Sequence, residues 1–297
     1  MVTLMSASPP AIDPEQLAHW RTWLGRSEQR ADLVTAAPLN AWVAMLDRDD
    51  AEALPGSDVP SLAHWLFFLP VARQSLIGAD GHPQRGGFLP PIPLPRRMWA
   101  GGRLTFHHAL QVGDAITRTS RIASVDAKSG RSGALAFVTV RHEVTDARGL
   151  AITEEHDIVY REAPRADAPA AAALQAARTD EVFSRRIVPD PVLLFRFSAL
   201  TFNGHRIHYD RSYVTEVEGY PGLIVHGPLI ATLLMDLLRR QRPQARIQRF
   251  AFTAKSPLFD LHPFEVCGRF DVSERHVDLW ARNHQGALAM QASAELA

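Results

Sequence analysis

The chain has 297 residues, 46% hydrophobic and 22% charged, long enough for one large domain or two small ones that each bury a core. Its 32 basic and 32 acidic residues cancel to a formal net charge of zero, so no global field draws it towards nucleic acid or an anionic membrane, and neither is an expected partner. A sole cysteine, Cys267, excludes an intramolecular disulfide and a cysteine-cluster metal site, and permits a reducing compartment, with the cytoplasm as default.

Met1 to Pro14 lacks the basic region and apolar core of a secretory signal. Pro60 to Ile77 predicts a helix: Ser61 can cap it, and Leu62, Trp65, Leu66, Leu69, Ala72 and Leu76 recur at helical spacing, with a kink at Pro70. Asp114 to Val125, Ala134 to Thr145 and Ala151 to Arg161 alternate apolar and polar residues. Turn signals at Lys128 to Gly130 and Asp146 to Gly149 separate them, so the first half reads as a helix followed by an antiparallel meander. An Ala/Pro stretch without apolar periodicity then predicts a connector, which divides the chain into 1–162, a linker at 163–180, and 181–297.

The second half repeats the order. A helix from Pro228 to about Arg242 precedes strands near Arg246 to Ser256, Phe264 to Val272, His276 to Asn283 and Ala287 to Ala294, with turns at Asp260 to Pro263 and Asn283 to Gly286. Its apolar run, Leu229 to Leu238, is broken by Asp236 and closed by Arg239 and Arg240, far short of the roughly 20 residues of a membrane span. A helix apolar on nearly all sides suits enclosure by a curved sheet. The fold class is therefore α+β, a double hot-dog in which two curved antiparallel sheets each wrap a hydrophobic helix.

Four histidines, His205, His208, His226 and His262, stand among apolar or turn residues of the second half. The polar run from Asn203 to His208 follows an apolar one and reads as a turn at a strand end, where an imidazole can move protons near neutrality. The plainer reading is a turn made by Asn203 and Gly204, with both rings bonded to backbone. His226-Gly227-Pro228 opens the apolar helix. Proline suits the first helical turn, Gly227 admits close approach of another molecule, and the free N–H groups there can hold an oxyanion.

Asn203-x-His205-x-Ile207-His208, followed by Gly222-Leu223-Ile224-Val225-His226-Gly227, resembles the hydratase motif of MaoC-like and R-specific enoyl-CoA hydratases. The longer run from Phe197 to Asp210 is similar to the type 2 hydroxyacyl-thioester dehydratases, and Gly86 to Arg103 to their subgroup of mesaconyl-C4-CoA (3-methylfumaryl-CoA) and itaconyl-CoA hydratases. The likeness covers most of residues 15–297. It implies a degenerate N-terminal hot-dog and a catalytic C-terminal one. The implied activity is a hydro-lyase on a short branched or dicarboxylic enoyl-CoA, with no cofactor besides the coenzyme A of the substrate and no metal. A homodimer is left open.

The motif departs from the family pattern in one respect. An aspartate is usual where Asn203 stands, and an asparagine and proline where His205 and Arg206 stand. An amide takes no proton at physiological pH, so His208 is expected to activate water, Asn203 to orient it and the Gly227 N–H to hold the thioester oxygen. His205, Arg206, His226, Arg97 and Arg103 are the candidate substrate-binding residues, an arginine fork suiting a free carboxylate. The arginines at 239, 240, 242, 246 and 249 are candidates for the coenzyme A phosphates or a solvated helix end. Three other readings stay open: a thioesterase using Asp210 or Glu216, a non-catalytic acyl-CoA binding protein, and a metal site on His205, His208 and Asp210.

Overall fold

Ten strands form one antiparallel sheet among the described residues of the computed structural model, which are 12–130, 133–162 and 174–297. The first half contributes β1 (Ser27–Leu33), β2 (Arg96–Phe106), β3 (Ala115–Gly130), β4 (Gly133–Asp146) and β5 (Gly149–Arg161). The second contributes β6 (Phe183–Ile187), β7 (Ile247–Ala254), β8 (Phe264–Phe270), β9 (His276–Arg282) and β10 (Leu288–Leu296). The spatial order is β1-β3-β4-β5-β2-β7-β10-β9-β8-β6, so the second half mirrors the connectivity of the first and β2 pairs with β7 at the seam, Gly102 opposite Phe252.

The two meanders lie where alternation and turn chemistry put them. Gly149 closes the β4–β5 turn at φ +112°, a conformation that costs glycine nothing, while Asp146 Oδ1 accepts from the Arg148 N–H at 2.7 Å. Of the connector at 163–180, residues 163–173 lie outside the described residues. Beyond them the chain runs along the second half's sheet, where Ala177 N–H donates to the Gly286 carbonyl at 2.9 Å.

Four helices accompany the sheet among the described residues: α1 (Pro14–Arg21), α2 (Ala36–Met45), α3 (Pro191–Leu200) and α4 (Gly227–Gln241). Every residue of α4 from Leu229 to Leu238 is buried, in keeping with its largely apolar run. The Asp236 carboxylate in that run is satisfied by Arg48, Arg185 and Arg240 at 2.8–2.9 Å. In the first half the enclosed helix is α2, which buries Leu39, Trp42 and Met45 at helical spacing.

The helix expected over 60–77 does not form. Leu62 and Phe68 adopt left-handed backbone, φ 72° and 57°, and only short 3-10 turns occur, at Ala63–Leu66 and Gln74–Leu76. Tertiary bonds override the helical periodicity. Trp65 Nε1–H donates to Glu154 at 2.8 Å, His64 Nε2 lies 3.0 Å from the same carboxylate, and the Phe68 N–H donates to Asp32 at 2.6 Å. No helix among the described residues is long and apolar enough to cross a membrane.

Candidate active site

Asp190 caps α3 by accepting from the Leu193 N–H at 2.8 Å, and Pro191 follows in the first turn, so the helix start is encoded by an Asp-Pro pair. The helix ends at Thr201 and Phe202 turns left-handed at φ 49°, returning the chain so that Asn203 N–H donates to the Ser198 carbonyl at 2.8 Å. The motif therefore leaves a helix, not a strand end as expected. A 3-10 turn at Arg206–His208 then carries the His208 ring under the start of α4.

His208 is 7% exposed, and its Nδ1 lies 2.7 Å from the Ile224 carbonyl. A carbonyl only accepts, so Nδ1 carries the proton and Nε2 keeps its lone pair. Nε2 has no protein partner among the described residues and remains within reach of solvent. Burial, and to a smaller degree the charge of His82, pushes this imidazole down to about 4 against the opposing Ile224 bond, so it is neutral at pH 7.

The ring stacks on His226, centroids 3.7 Å apart at 19°. His226 is 0% exposed, its Nε2 lies 2.8 Å from Ser198 Oγ, and burial followed by the nearby His208 and His205 holds it well below the usual range. It was expected to bind substrate. Its burial instead makes it the floor on which His208 rests, and Ser198, which the sequence reading did not single out, fixes that floor. Gly227 is the first residue of α4, where an N–H has no earlier carbonyl in its own helix to bond. A Cβ added there would meet only the Trp99 carbonyl at 3.6 Å, an ordinary contact. Protein packing does not demand glycine at this position, and the missing side chain leaves the helix end open to a ligand.

Asn203 is engaged differently from expectation. Its Oδ1 accepts from the His205 N–H at 3.0 Å, an Asx turn, which leaves the amide NH₂ as its free group. It can donate to water or to a thioester oxygen and cannot receive a proton. His205, half-buried, lies 5.4 Å from His208 between centroids and 4.0 Å from His82, which comes from the first half. Burial, then the charges of His82 and His208, pushes His205 down to about 2.

The candidate arginines separate clearly. Arg206 pairs with Asp210 at 2.7 Å, donates to the Ala79 carbonyl at 3.0 Å and lies over the Tyr213 ring, so it is not a free fork. Arg103 is held by Glu155 and Asp157 at 2.7–2.9 Å on the exposed side of β2. Arg97 is different: it makes no ion pair among the described residues, and it is near enough to His82 and His205 to bear on both rings and on the Tyr160 hydroxyl. The arginines in the last turn of α4 and beyond it mostly have acidic partners, Arg239 with Asp50, Arg240 with Asp236, Arg242 with Glu274 and Arg249 with Glu295, which favours a structural role over phosphate binding. Asp210 accepts from the Tyr213 N–H and from Arg206 and Ser212, and these bonds hold it at about 2, so it is no free carboxylate for thioester hydrolysis or for a cation with His208. His262 packs against His284 at a tilt of 36° in a surface turn, apart from the other rings.

The profile of the hydroxyacyl-thioester dehydratase type 2 family matches residues 62–260. A mesaconyl-C4-CoA hydratase of Chloroflexus aurantiacus is 49% identical over 279 residues, 94% of this chain and 98% of that protein. The chain belongs to the hydroxyacyl-thioester dehydratase type 2 family. It is a hydro-lyase. The fold agrees: a solved MaoC-like dehydratase superposes with a TM-score of 0.70 at 14% identity, covering 93% of this chain and 99% of that one. A Mycobacterium tuberculosis protein described as having a double hotdog fold superposes with a TM-score of 0.56 at 13% identity, covering 92% and 96%. The mirrored five-stranded halves of this hydro-lyase are that double hot-dog.

One contributor to the site was not legible beforehand. The Asp80-Gly81-His82 loop comes from the first half and docks on the motif backbone, with the Arg206 N–H donating to the Asp80 carbonyl at 2.9 Å. Its only local signal is an Asp-Gly turn, and nothing in sequence links it to residues more than a hundred positions away.

Proposed function

We propose that this hydro-lyase adds water reversibly to the double bond of a short branched or dicarboxylic enoyl-CoA, of the kind that takes mesaconyl-C4-CoA or itaconyl-CoA to citramalyl-CoA. The observation that carries the reading is the His208 ring, with its tautomer fixed and Nε2 free, beside the open N-terminus of α4. In the forward direction water oxygen bonds to Cβ as His208 Nε2 takes its proton. The thioester becomes an enolate whose oxygen is held by the Gly227 N–H, and Cα then receives the proton that His208 took, which completes the hydroxyacyl product and returns the ring to its neutral form. Proton transfer of this kind contributes roughly 10²- to 10⁴-fold, and one oxyanion donor about 3 kcal/mol. The reaction moves protons and water but no electrons, so it calls for no redox cofactor, and coenzyme A enters with the substrate. On this reading the chain consists of a degenerate hot-dog at 1–162, a linker at 163–180 and a catalytic hot-dog at 181–297.

The substrate class rests on Arg97 and on the relative's name. A guanidinium without a carboxylate partner, beside the imidazoles of the site, suits the free carboxylate of a dicarboxylic acyl group. The deciding assay incubates the protein with mesaconyl-C4-CoA, itaconyl-CoA and crotonyl-CoA, following both enoyl-thioester absorbance and free thiol. Loss of absorbance without thiol release, fastest for a dicarboxylic substrate, is the expected result. Thiol release would establish a thioesterase, and tight binding without turnover a binding protein.

A further inference from the structure

In the family motif a carboxylate stands where this chain has Asn203, whose only proton acceptor is already bonded to the His205 N–H. A carboxylate beside the imidazole row comes from the other half. Asp80 Oδ1 accepts from the His82 N–H at 3.0 Å and Oδ2 lies 3.1 Å from His82 Nδ1. His82 thereby holds a fixed ring against His205, centroids 4.0 Å apart and planes inclined by 41°. One oxygen or nitrogen each from Asp80, His82 and His205 lie within 4.8 Å of one another. The His205 ring makes no hydrogen bond among the described residues, and its centroid lies 5.4 Å from that of His208, a separation on the scale that one bridging water spans.

The loop is shaped for this contact. Gly81 has φ +89°, and a Cβ there would fall 1.8 Å from the Gly204 carbonyl oxygen, so only glycine lets the two backbones meet. Two bonds clamp the same junction, from the Arg206 N–H to the Asp80 carbonyl at 2.9 Å and from Arg206 Nη1 to the Ala79 carbonyl at 3.0 Å.

We propose that His205, rather than residue 203, is the second group on the attacking water, and that Asp80 and His82 are positioning residues that act through it across the two halves. The negative charge of Asp80 favours the partial positive charge that His205 acquires while it shares the water proton, in the manner of a carboxylate behind an imidazole. Arg97 opposes that charge, as would the His82 and His208 rings in their protonated forms. The first half is therefore part of the active site and not only a packing partner. This rests on the hydration reading above.

The experiment is a double-mutant cycle of Asp80→Asn and His205→Asn in the full chain, on whichever enoyl-CoA the wild type turns over. Asparagine at 80 keeps an oxygen for the His82 N–H, so the turn survives, while the charge and the acceptor facing His82 Nδ1 are lost. Wild-type inactivity on every enoyl-CoA would defeat the hydration reading itself. With an active wild type, His205→Asn is expected to lower kcat about 100-fold and Asp80→Asn about 10-fold, with KM within about threefold in each. The double variant should be no slower than His205→Asn alone, because Asp80 works through that ring. His82→Asn closes the same cycle if Asp80→Asn does not fold, and His262→Asn is the control that keeps wild-type rates. Full kcat in Asp80→Asn, or additive losses in the double variant, would overturn the proposal. So would loss of wild-type activity to a chelator with recovery on Zn²⁺, which would show that the three side chains hold a cation.

Discussion

The two halves share one strand connectivity but place their long segments on opposite sides of the enclosed helix. In the second half, residues 188–226 intervene between β6 and α4 and carry α3, Asn203, His205 and His208, while α4 passes to β7 within a few residues. In the first half β1 runs almost directly into α2, and the long segment, residues 46–95, follows that helix instead. Only the α4 helix start is thus preceded by imidazoles and an open glycine. The two long segments meet where the Asp80 loop docks on the 203–208 turn. The repeated sheet supplies a rigid frame, and the chemistry sits in the insertions that the repeat does not share.

The strongest way to break that contrast is to remove His208. His208→Ala should lower kcat by about 10²- to 10⁴-fold with the fold intact by circular dichroism, and near-wild-type hydration would strip the second half of its catalytic role. The first half has its own buried polar group for comparison, the Glu154 carboxylate, 3% exposed and bonded to His64, Trp65 and His156. If that cluster is structural, Glu154→Ala should destabilise the protein by about 3–5 kcal/mol, because partners are left buried and unpaired. The folded fraction should keep its kcat. Denaturant unfolding combined with active-site titration measures both, and a lower kcat at unchanged stability would move chemistry into the first half.

Both meanders and α4 were legible because their information is local: alternating apolar residues bounded by turn residues, and one long apolar run. What was missed depends on contacts between distant residues. The run 60–77 has helical spacing, yet its side chains bond to Glu154 and Asp32. α2 was overlooked as a short segment with Pro38 inside it, and β2 because Gly101 and Gly102 interrupt its pattern where the backbone abuts Phe252. At the site, the motif pointed to His208 and Gly227, and the His208 ring stacks on His226, the residue before Gly227. It did not reveal that His226 is sealed beneath His208 or that Arg206 belongs to Asp210, since both follow from packing around Ser198 and Ala79.

Arg97 sharpens the division of labour further, since it lies on β2 of the first half while its charge bears on His205 of the second. Arg97→Gln should raise KM for a dicarboxylic enoyl-CoA by about 10-fold or more and leave crotonyl-CoA nearly unaffected, the loss of one charge-assisted contact being worth roughly 1.5–3 kcal/mol. Equal losses on both substrates would mean that Arg97 supports the site and does not read the carboxylate.

The smallest effect is expected from pH, and its smallness is the test. A solvated imidazole general base loses activity as pH falls through about 6.5, but burial lowers His208 to about 4, with the Ile224 bond fixing its tautomer. The base form therefore persists, and kcat/KM should change by less than about twofold between pH 6 and 8. The same depression sets the stability. The unfolded chain binds a proton at position 208 below about 6.5 and the folded one only near 4, so His208 withdraws stability as pH falls between those values. His226, also held well below the usual range, acts in the same direction, as does His205, which is depressed to about 2. Thermal unfolding at each pH separates the two phenomena: the melting temperature should fall while the per-molecule rate of the folded enzyme stays level. A reversible loss of rate centred near 6.5 with an unchanged melting temperature would show that the base is a solvated imidazole and not the buried ring beneath α4.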